Sequence, residues 1–108
     1  NVTNDAWYGN SSGPYQHFEI SRMRSVENGL PMVRAANNGI SAIIDPIGRT
    51  LNRLELNQID VIDSYMPLKL LLPTIYSEWG NLALSLWVLF VLILQSMIAL
   101  LYLRFLEA

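Results

Sequence analysis

Hydrophobic and polar positions along the chain fall into three textures. The last is the plainest. From Leu82 to Leu103 there is no charged residue and only three clearly polar ones, Ser85, Gln95 and Ser96. Wound as an α-helix, these 22 residues rise about 33 Å, which matches the roughly 30 Å hydrocarbon layer of a bilayer. Fourteen of them are Leu, Ile, Val or Phe, each favouring insertion by about 0.3–0.6 kcal/mol. That outweighs one glutamine and two serines, so the run predicts a transmembrane helix. The buried helix of a soluble domain would be shorter and would keep a polar stripe. A cleaved secretory signal would be N-terminal, with a shorter apolar core.

The middle texture is a set of short β-like runs after Pro31: Met32–Ala36, Ile40–Ile44, Thr50–Leu54 and Val61–Tyr65. Asp45-Pro46-Ile47-Gly48 separates the second and third, with Pro at the second and Gly at the fourth position of a type I turn, and predicts a hairpin. Ile40-Ser41-Ala42-Ile43-Ile44 is almost continuously apolar, which predicts a strand covered on both faces. On this reading the cover comes from protein beyond the chain, and Asn1–Asn81 alone exposes sheet surface and edges.

The first texture is polar. Asn4 to Gly13 is dense in Asn, Asp, Ser and Gly and reads as a loop. Ser12 is placed as an N-cap, Pro14 follows it, and Gly29 is placed as a left-handed C-cap, so a helix is expected from Pro14 to Asn28. Tyr15, Phe18, Arg22 and Val26, with Met23 beside them, share its expected apolar face. Glu19–Arg22 and Arg24–Glu27 are spaced for i,i+3 ion pairs. Pro67 to Gly80 reads as an irregular, partly apolar approach to the membrane, where Tyr76, Trp79 and Trp87 suit an aromatic belt.

Composition narrows the chemistry. With no cysteine among 108 residues there is neither a disulfide nor a thiolate nucleophile or ligand. A formal charge of −2, without a basic stripe, argues against nucleic acid as a partner. A segment the size of Asn1–Asn81 buries only about 60% of its unfolded surface and is marginal unless something covers it. The strand-like Asn1-Val2-Thr3 and the lack of an initiating Met predict a piece of a longer chain. Lys69, Arg104 and Glu107 flank the apolar helix too evenly to orient it strongly, although Arg104 favours a cytoplasmic C-terminus.

Gly9-Asn10-Ser11-Ser12-Gly13 fits the G-x-S-x-G pattern of a nucleophile elbow. The only histidine, His17, follows the serines by one helical turn, without an acid between them in the order that hydrolases use, and turn-forming residues before a helix explain the same letters. His17 is expected on the surface or in packing, since no metal-ligand spacing surrounds it. No metal site, cofactor or catalytic residue is expected in the chain. Asn37-Asn38-Gly39 reads either as polar groups at a strand end or as a turn.

Asn4-Asp5-Ala6-Trp7-Tyr8-Gly9, followed by Gly13-Pro14-Tyr15-Gln16-His17 and Ala36-Asn37-Asn38-Gly39, resembles the C-terminal part of the bacterial apolipoprotein N-acyltransferase family. Arg22-Met23-Arg24-Ser25-Val26-Glu27-Asn28 and Ala42-Ile43-Ile44-Asp45-Pro46-Ile47-Gly48 resemble the helix and the strand-turn-strand of the wider nitrilase superfamily. Pro73 to Gly80 resembles the segment leading into the last membrane helix. The resemblance implies an α/β fold, part of a nitrilase-like α-β-β-α sandwich, followed by one C-terminal transmembrane helix. The implied organisation is residues 1–66 in the nitrilase-like (CN hydrolase) domain, 67–81 as membrane approach, 82–103 as the transmembrane helix and 104–108 as a short tail.

The resemblance also implies a reaction: transfer of an acyl chain from a phospholipid donor to the N-terminal diacylglyceryl-cysteine of a lipoprotein, at the periplasmic side of the inner membrane. Family chemistry uses a Glu-Lys-Cys triad through a thioester. This chain lacks the cysteine, which would lie upstream of Asn1 with the glutamate and lysine, and Lys69 sits away from the motif region. The implied partner is therefore the missing N-terminal part of the same enzyme, and the chain alone is expected to be inactive. Trp7 and Tyr8 are the candidate substrate-binding residues, bordering an acyl pocket; packing beneath their loop is the equal alternative. The competing account from the residues is a small tail-anchored membrane protein whose head binds a partner.

Overall fold

The computed structural model describes residues 1–107. A short strand β1 (Val2–Asn4) leads through a single 3₁₀ turn (Ala6–Tyr8) into helix α1 (Gly13–Asn28). Strands β2 (Met32–Asn37), β3 (Ser41–Ile44) and β4 (Thr50–Leu54) follow, then a one-turn helix α2 (Ile75–Trp79) and the long helix α3 (Leu82–Glu107). The four strands form one sheet in the order β1-β2-β3-β4. β1 and β2 are parallel, with Val2 opposite Ala35, so β1, α1 and β2 make a β-α-β unit; β2–β3 and β3–β4 are antiparallel. The class is mixed α/β, a helix layer on a sheet layer, and Phe18 of α1 meets Ile40, Ala42 and Ile44 in the core.

Helix α1 ends where its capping signals put it: Gly29 takes a left-handed conformation at φ 64° and donates back to the carbonyl of Val26. Its start differs in detail. Ser12 holds the N-cap position but its side chain caps nothing. The hydroxyl of Ser11 instead accepts from the Gly13 N–H at 3.1 Å.

The buried face of α1 is rotated from the expected one. It consists of Pro14, Phe18, Ser21 and Ser25, while Tyr15, Met23 and Val26 are exposed. Small serines let the helix approach the sheet, and both hydroxyls are bonded there. Ser21 Oγ donates to the His17 carbonyl at 3.0 Å, and Ser25 Oγ lies between the carbonyls of Leu30 and Asp45. Both expected surface ion pairs form, Glu19–Arg22 at 3.0 Å and Arg24–Glu27 at 2.7 Å. The Glu27 carboxylate, by hydrogen bond and charge, raises the Arg24 pKa further above its ordinary value.

The β3–β4 hairpin turns at Asp45-Pro46-Ile47-Gly48, closed by the Gly48 N–H donating to the Asp45 carbonyl at 3.0 Å. Gly48 sits at φ 82°, a conformation that favours glycine, and the register slips between Ile43 and Ile44. Burial pushes the Asp45 carboxyl up. The Arg49 guanidinium at 2.6 Å and the N–H groups of Arg49 and Ile47 at 2.8 and 3.1 Å more than reverse this, holding it below the ordinary 3.8. Because the folded pKa is depressed, the stabilisation is present above about pH 3.8 and is lost as pH falls through the lower folded value. Asp45→Asn is therefore expected to destabilise the head by on the order of 1–2 kcal/mol near neutral pH. Denaturant titrations in micelles should show the gap to the unsubstituted chain closing as pH falls below about 3.8; a gap independent of pH would contradict the ion pair's role.

Two expectations about the sheet are corrected. The run Val61–Tyr65 forms no strand. After Leu54 the chain turns near Asn57, at φ 61°, and Asp60–Ile62 lines a groove together with Val33, Ile43 and Leu54 instead of extending the β4 edge. With no ladder partner, the β-prone side chains Val61 and Tyr65 stay exposed. The cover expected from elsewhere is also largely present within the chain: α1 closes one face of β3, and Ile43 on the other face is only 6% exposed. On the same outer face Val2 and Val33 remain exposed. The Pro67–Gly80 approach is irregular as expected except for α2, whose Thr74 side chain accepts from the Ser77 N–H at 3.0 Å.

Candidate functional site

Ligand sites in α/β sheets form beyond the carboxyl ends of parallel strands. Here β1 and β2 both end in asparagine, Asn4 opposite Asn37, and the chain beyond them carries the polar and aromatic residues singled out from the sequence. Asn4 Oδ1 accepts from the Ala6 N–H at 3.1 Å, which folds the chain sharply into the 3₁₀ turn. Asp5 then points down between β2 and α1, while Trp7 and Tyr8 stay above.

Below the turn lies a buried polar cluster that sequence reasoning missed. The side chains of Asp5 and Arg34 are both fully buried and pair at 2.8 Å. Arg34 uses its whole fork: Nη2 to Asp5 Oδ2, Nη1 to Ser21 Oγ at 2.6 Å and Asn1 Oδ1 at 2.8 Å, and Nε to the Ile40 carbonyl at 3.2 Å. The second Asp5 oxygen meets His17 Nδ1 at 2.8 Å and accepts from the Thr3 hydroxyl at 3.2 Å. Among the described residues no buried side-chain polar atom is left without a partner. Gly39, at the β2–β3 turn, closes the cluster: a Cβ there would sit 2.3 Å from Asp5 Oδ2, so only glycine fits. The Asn37-Asn38-Gly39 stretch is thus a turn, with Asn38 at φ 56°.

A signal for this cluster did exist. Arg34 is the one charged residue in β2, and a buried arginine needs a carboxylate. Asp5 is the only acidic residue in the first eighteen positions.

The rim is differently built. Trp7 is 85% exposed in this chain. Tyr8 is half exposed, with its ring 5.9 Å from that of His17 and its Cβ against Gly13. Ser11 Oγ donates to the Tyr8 carbonyl at 2.7 Å, while His17 is committed to Asp5, so the elbow-like serines are turn formers. Two aromatic side chains, Trp7 and Tyr8, thus stand at the surface above the buried Asp5–Arg34 pair. The arrangement brings no nucleophile with a base.

Helix α3 carries 25 residues, Leu82–Leu106, long and apolar enough to cross a membrane, and none of that stretch is buried against the rest of the chain. Ser85 and Ser96 bond within the helix, to the carbonyls of Asn81 and Leu92.

Residues 1–76 match the family described as carbon-nitrogen hydrolase. Over 102 residues, 94% of its length, the chain is 58% identical to an apolipoprotein N-acyltransferase of Rickettsia prowazekii, taking in 21% of that protein. It is 62% identical over 98 residues to the protein of the same name from Rickettsia bellii, covering 91% of this chain and 20% of that one. With its namesake from Rhodopseudomonas palustris it shares 51% identity over 94 residues, 87% and 17% of the two chains. The chain spans about a fifth of the length of the curated relatives it matches.

Proposed function

Because this chain belongs to the carbon-nitrogen hydrolase family, we propose that it acts as the C-terminal portion of an apolipoprotein N-acyltransferase, within the reaction that moves a phospholipid acyl chain to the α-amino group of a lipoprotein's diacylglyceryl-cysteine. The observation that carries this reading is the 58% identity to a protein of that name across 94% of the chain. The division of labour follows from composition. A chain without cysteine supplies no thiolate, so the thioester forms on residues outside it. What it contributes is the floor and rim: Asp5, Arg34 and His17 hold the turn, and Trp7 and Tyr8 border the acyl chain. The organisation proposed is residues 1–66 in the catalytic domain, 67–81 as membrane approach and 82–103 crossing the inner membrane, with the head on the periplasmic side.

Assays with phospholipid and a diacylglyceryl lipopeptide test this. The chain alone should give no amide product and no acyl-enzyme. Co-expressed with a portion carrying the Glu-Lys-Cys triad it should restore transfer, and Trp7→Ala should lower the restored kcat/KM about tenfold, a loss of about 1.4 kcal/mol of transition-state stabilisation. Turnover by the chain alone, or none from the reconstituted pair, would overturn the reading.

A further inference from the structure

The segment between the sheet and the membrane helix presents a series of exposed apolar side chains. Leu68, Leu71, Leu72 and Ile75 are each exposed by three quarters or more, and Met66 and Trp79 by more than half. Only Lys69 and Glu78 are charged between residues 66 and 79. So many large apolar side chains exposed along one short segment mark an interaction surface.

Its position identifies the partner. Only Gly80 and Asn81 separate Trp79 from Leu82, where α3 begins. The start of a membrane-spanning helix lies at the headgroup level, where Trp and Tyr concentrate. The segment is also not a free tether. The Leu70 N–H donates to the Gly29 carbonyl at 3.0 Å, and the Thr74 hydroxyl bonds the Glu27 carbonyl. Both contacts are to the C-terminal turn of α1, so the strap is held against the head at one end and against α3 at the other.

We propose that residues 66–79 form a strap lying in the lipid–water interface of the membrane that α3 crosses, with Leu68, Leu71, Leu72 and Ile75 among the upper acyl chains. The Lys69 ammonium then reaches the headgroups along its aliphatic stem. Through the two bonds to α1 the strap fixes how the head stands on the bilayer. The inference requires only that α3 spans a membrane and is independent of the acyl-transfer reading.

The absence of cysteine makes a direct test available, since a single introduced cysteine carries a spin label without background. The full chain is reconstituted into phosphatidylcholine vesicles with a minor fraction of phosphatidylglycerol. Leu71→Cys and Leu72→Cys are compared with Asn52→Cys on β4 as the aqueous reference and Leu94→Cys in α3 as the apolar one. Collisions with oxygen should exceed those with a water-soluble nickel chelate several-fold at positions 71 and 72, placing them between the references. Dominant nickel collisions would put the strap in water, and weak collisions with both would mean that protein covers it; either overturns the proposal. A second readout leaves the strap unsubstituted: with Trp7→Phe and Trp87→Phe, emission from Trp79 should be quenched by lipids brominated near the headgroup. Quenching by aqueous iodide alone would overturn the proposal equally.

Discussion

Arg34→Ala is expected to destabilise the folded head by about 3–5 kcal/mol, the cost of leaving a buried carboxylate without its partner. The side chains of Asp5 and Arg34 are both fully buried. The substitution also strips donors from Ser21, Asn1 and the Ile40 carbonyl. Lysine does not rescue it, because one ammonium cannot reproduce a planar fork aimed at four acceptors. Guanidinium titration of the full chain in micelles, followed by circular dichroism, measures the loss. The paired replacement Asp5→Leu with Arg34→Met should recover much of it, since removing both charges leaves neither one unpaired. A loss below about 1 kcal/mol would mean that the pair behaves as a solvated surface ion pair.

Phe90→Arg combined with Leu94→Arg is expected to remove the chain from the membrane. Each arginine at a helix centre costs about 2.5–3.5 kcal/mol, and two of them consume most of the roughly 4–8 kcal/mol that the fourteen Leu, Ile, Val and Phe side chains of Leu82–Leu103 contribute. Leu94 is the middle of the 25-residue apolar stretch, about 18 Å from either end, too deep for the side chain to reach the headgroups without deforming the bilayer. Carbonate extraction should leave the native chain in the pellet and move the double variant to the soluble or aggregated fraction. Phe90→Leu with Leu94→Ile should stay in the pellet. Membrane retention of the double-arginine chain would contradict a single spanning helix as the anchor.

Part of the architecture could be read along the chain because its causes are local. Helix α1 is bounded by Pro14 and by a glycine that takes the left-handed conformation, and both act within one turn of the residues they stop or start. The Asp45–Gly48 hairpin is likewise set by four neighbours and a side chain that bonds its own backbone. The family was legible too, from short motifs at Asn4–Gly9, Gly13–His17 and Ala36–Gly39 that the carbon-nitrogen hydrolase match spans.

The polar core was not legible in that way. Asp5 and Arg34 are 29 positions apart, and Asp5 among Asn, Ser and Gly reads as a turn former. Periodicity compares residues a few positions apart, so it saw Tyr15 and Val26 as the apolar face of α1. It could not see that Ser21 and Ser25 are bonded to Arg34 and to the turn at Asp45. The run Val61–Tyr65 failed for the related reason that a strand needs a free neighbouring backbone as well as β-prone side chains.

The sequence by itself determined the apolar length of α3, the limits of α1, the β3–β4 turn and the absence of a thiolate, since each depends on composition or on contacts within a few residues. Tertiary structure alone decided that the polar loop after β1 sends Asp5 inward and leaves Trp7 outward, that Gly39 must lack a side chain, and that Ile43 is buried within the chain. Those outcomes depend on which distant groups satisfy a buried charge or close a sheet face, and that is fixed only when the strands are brought together.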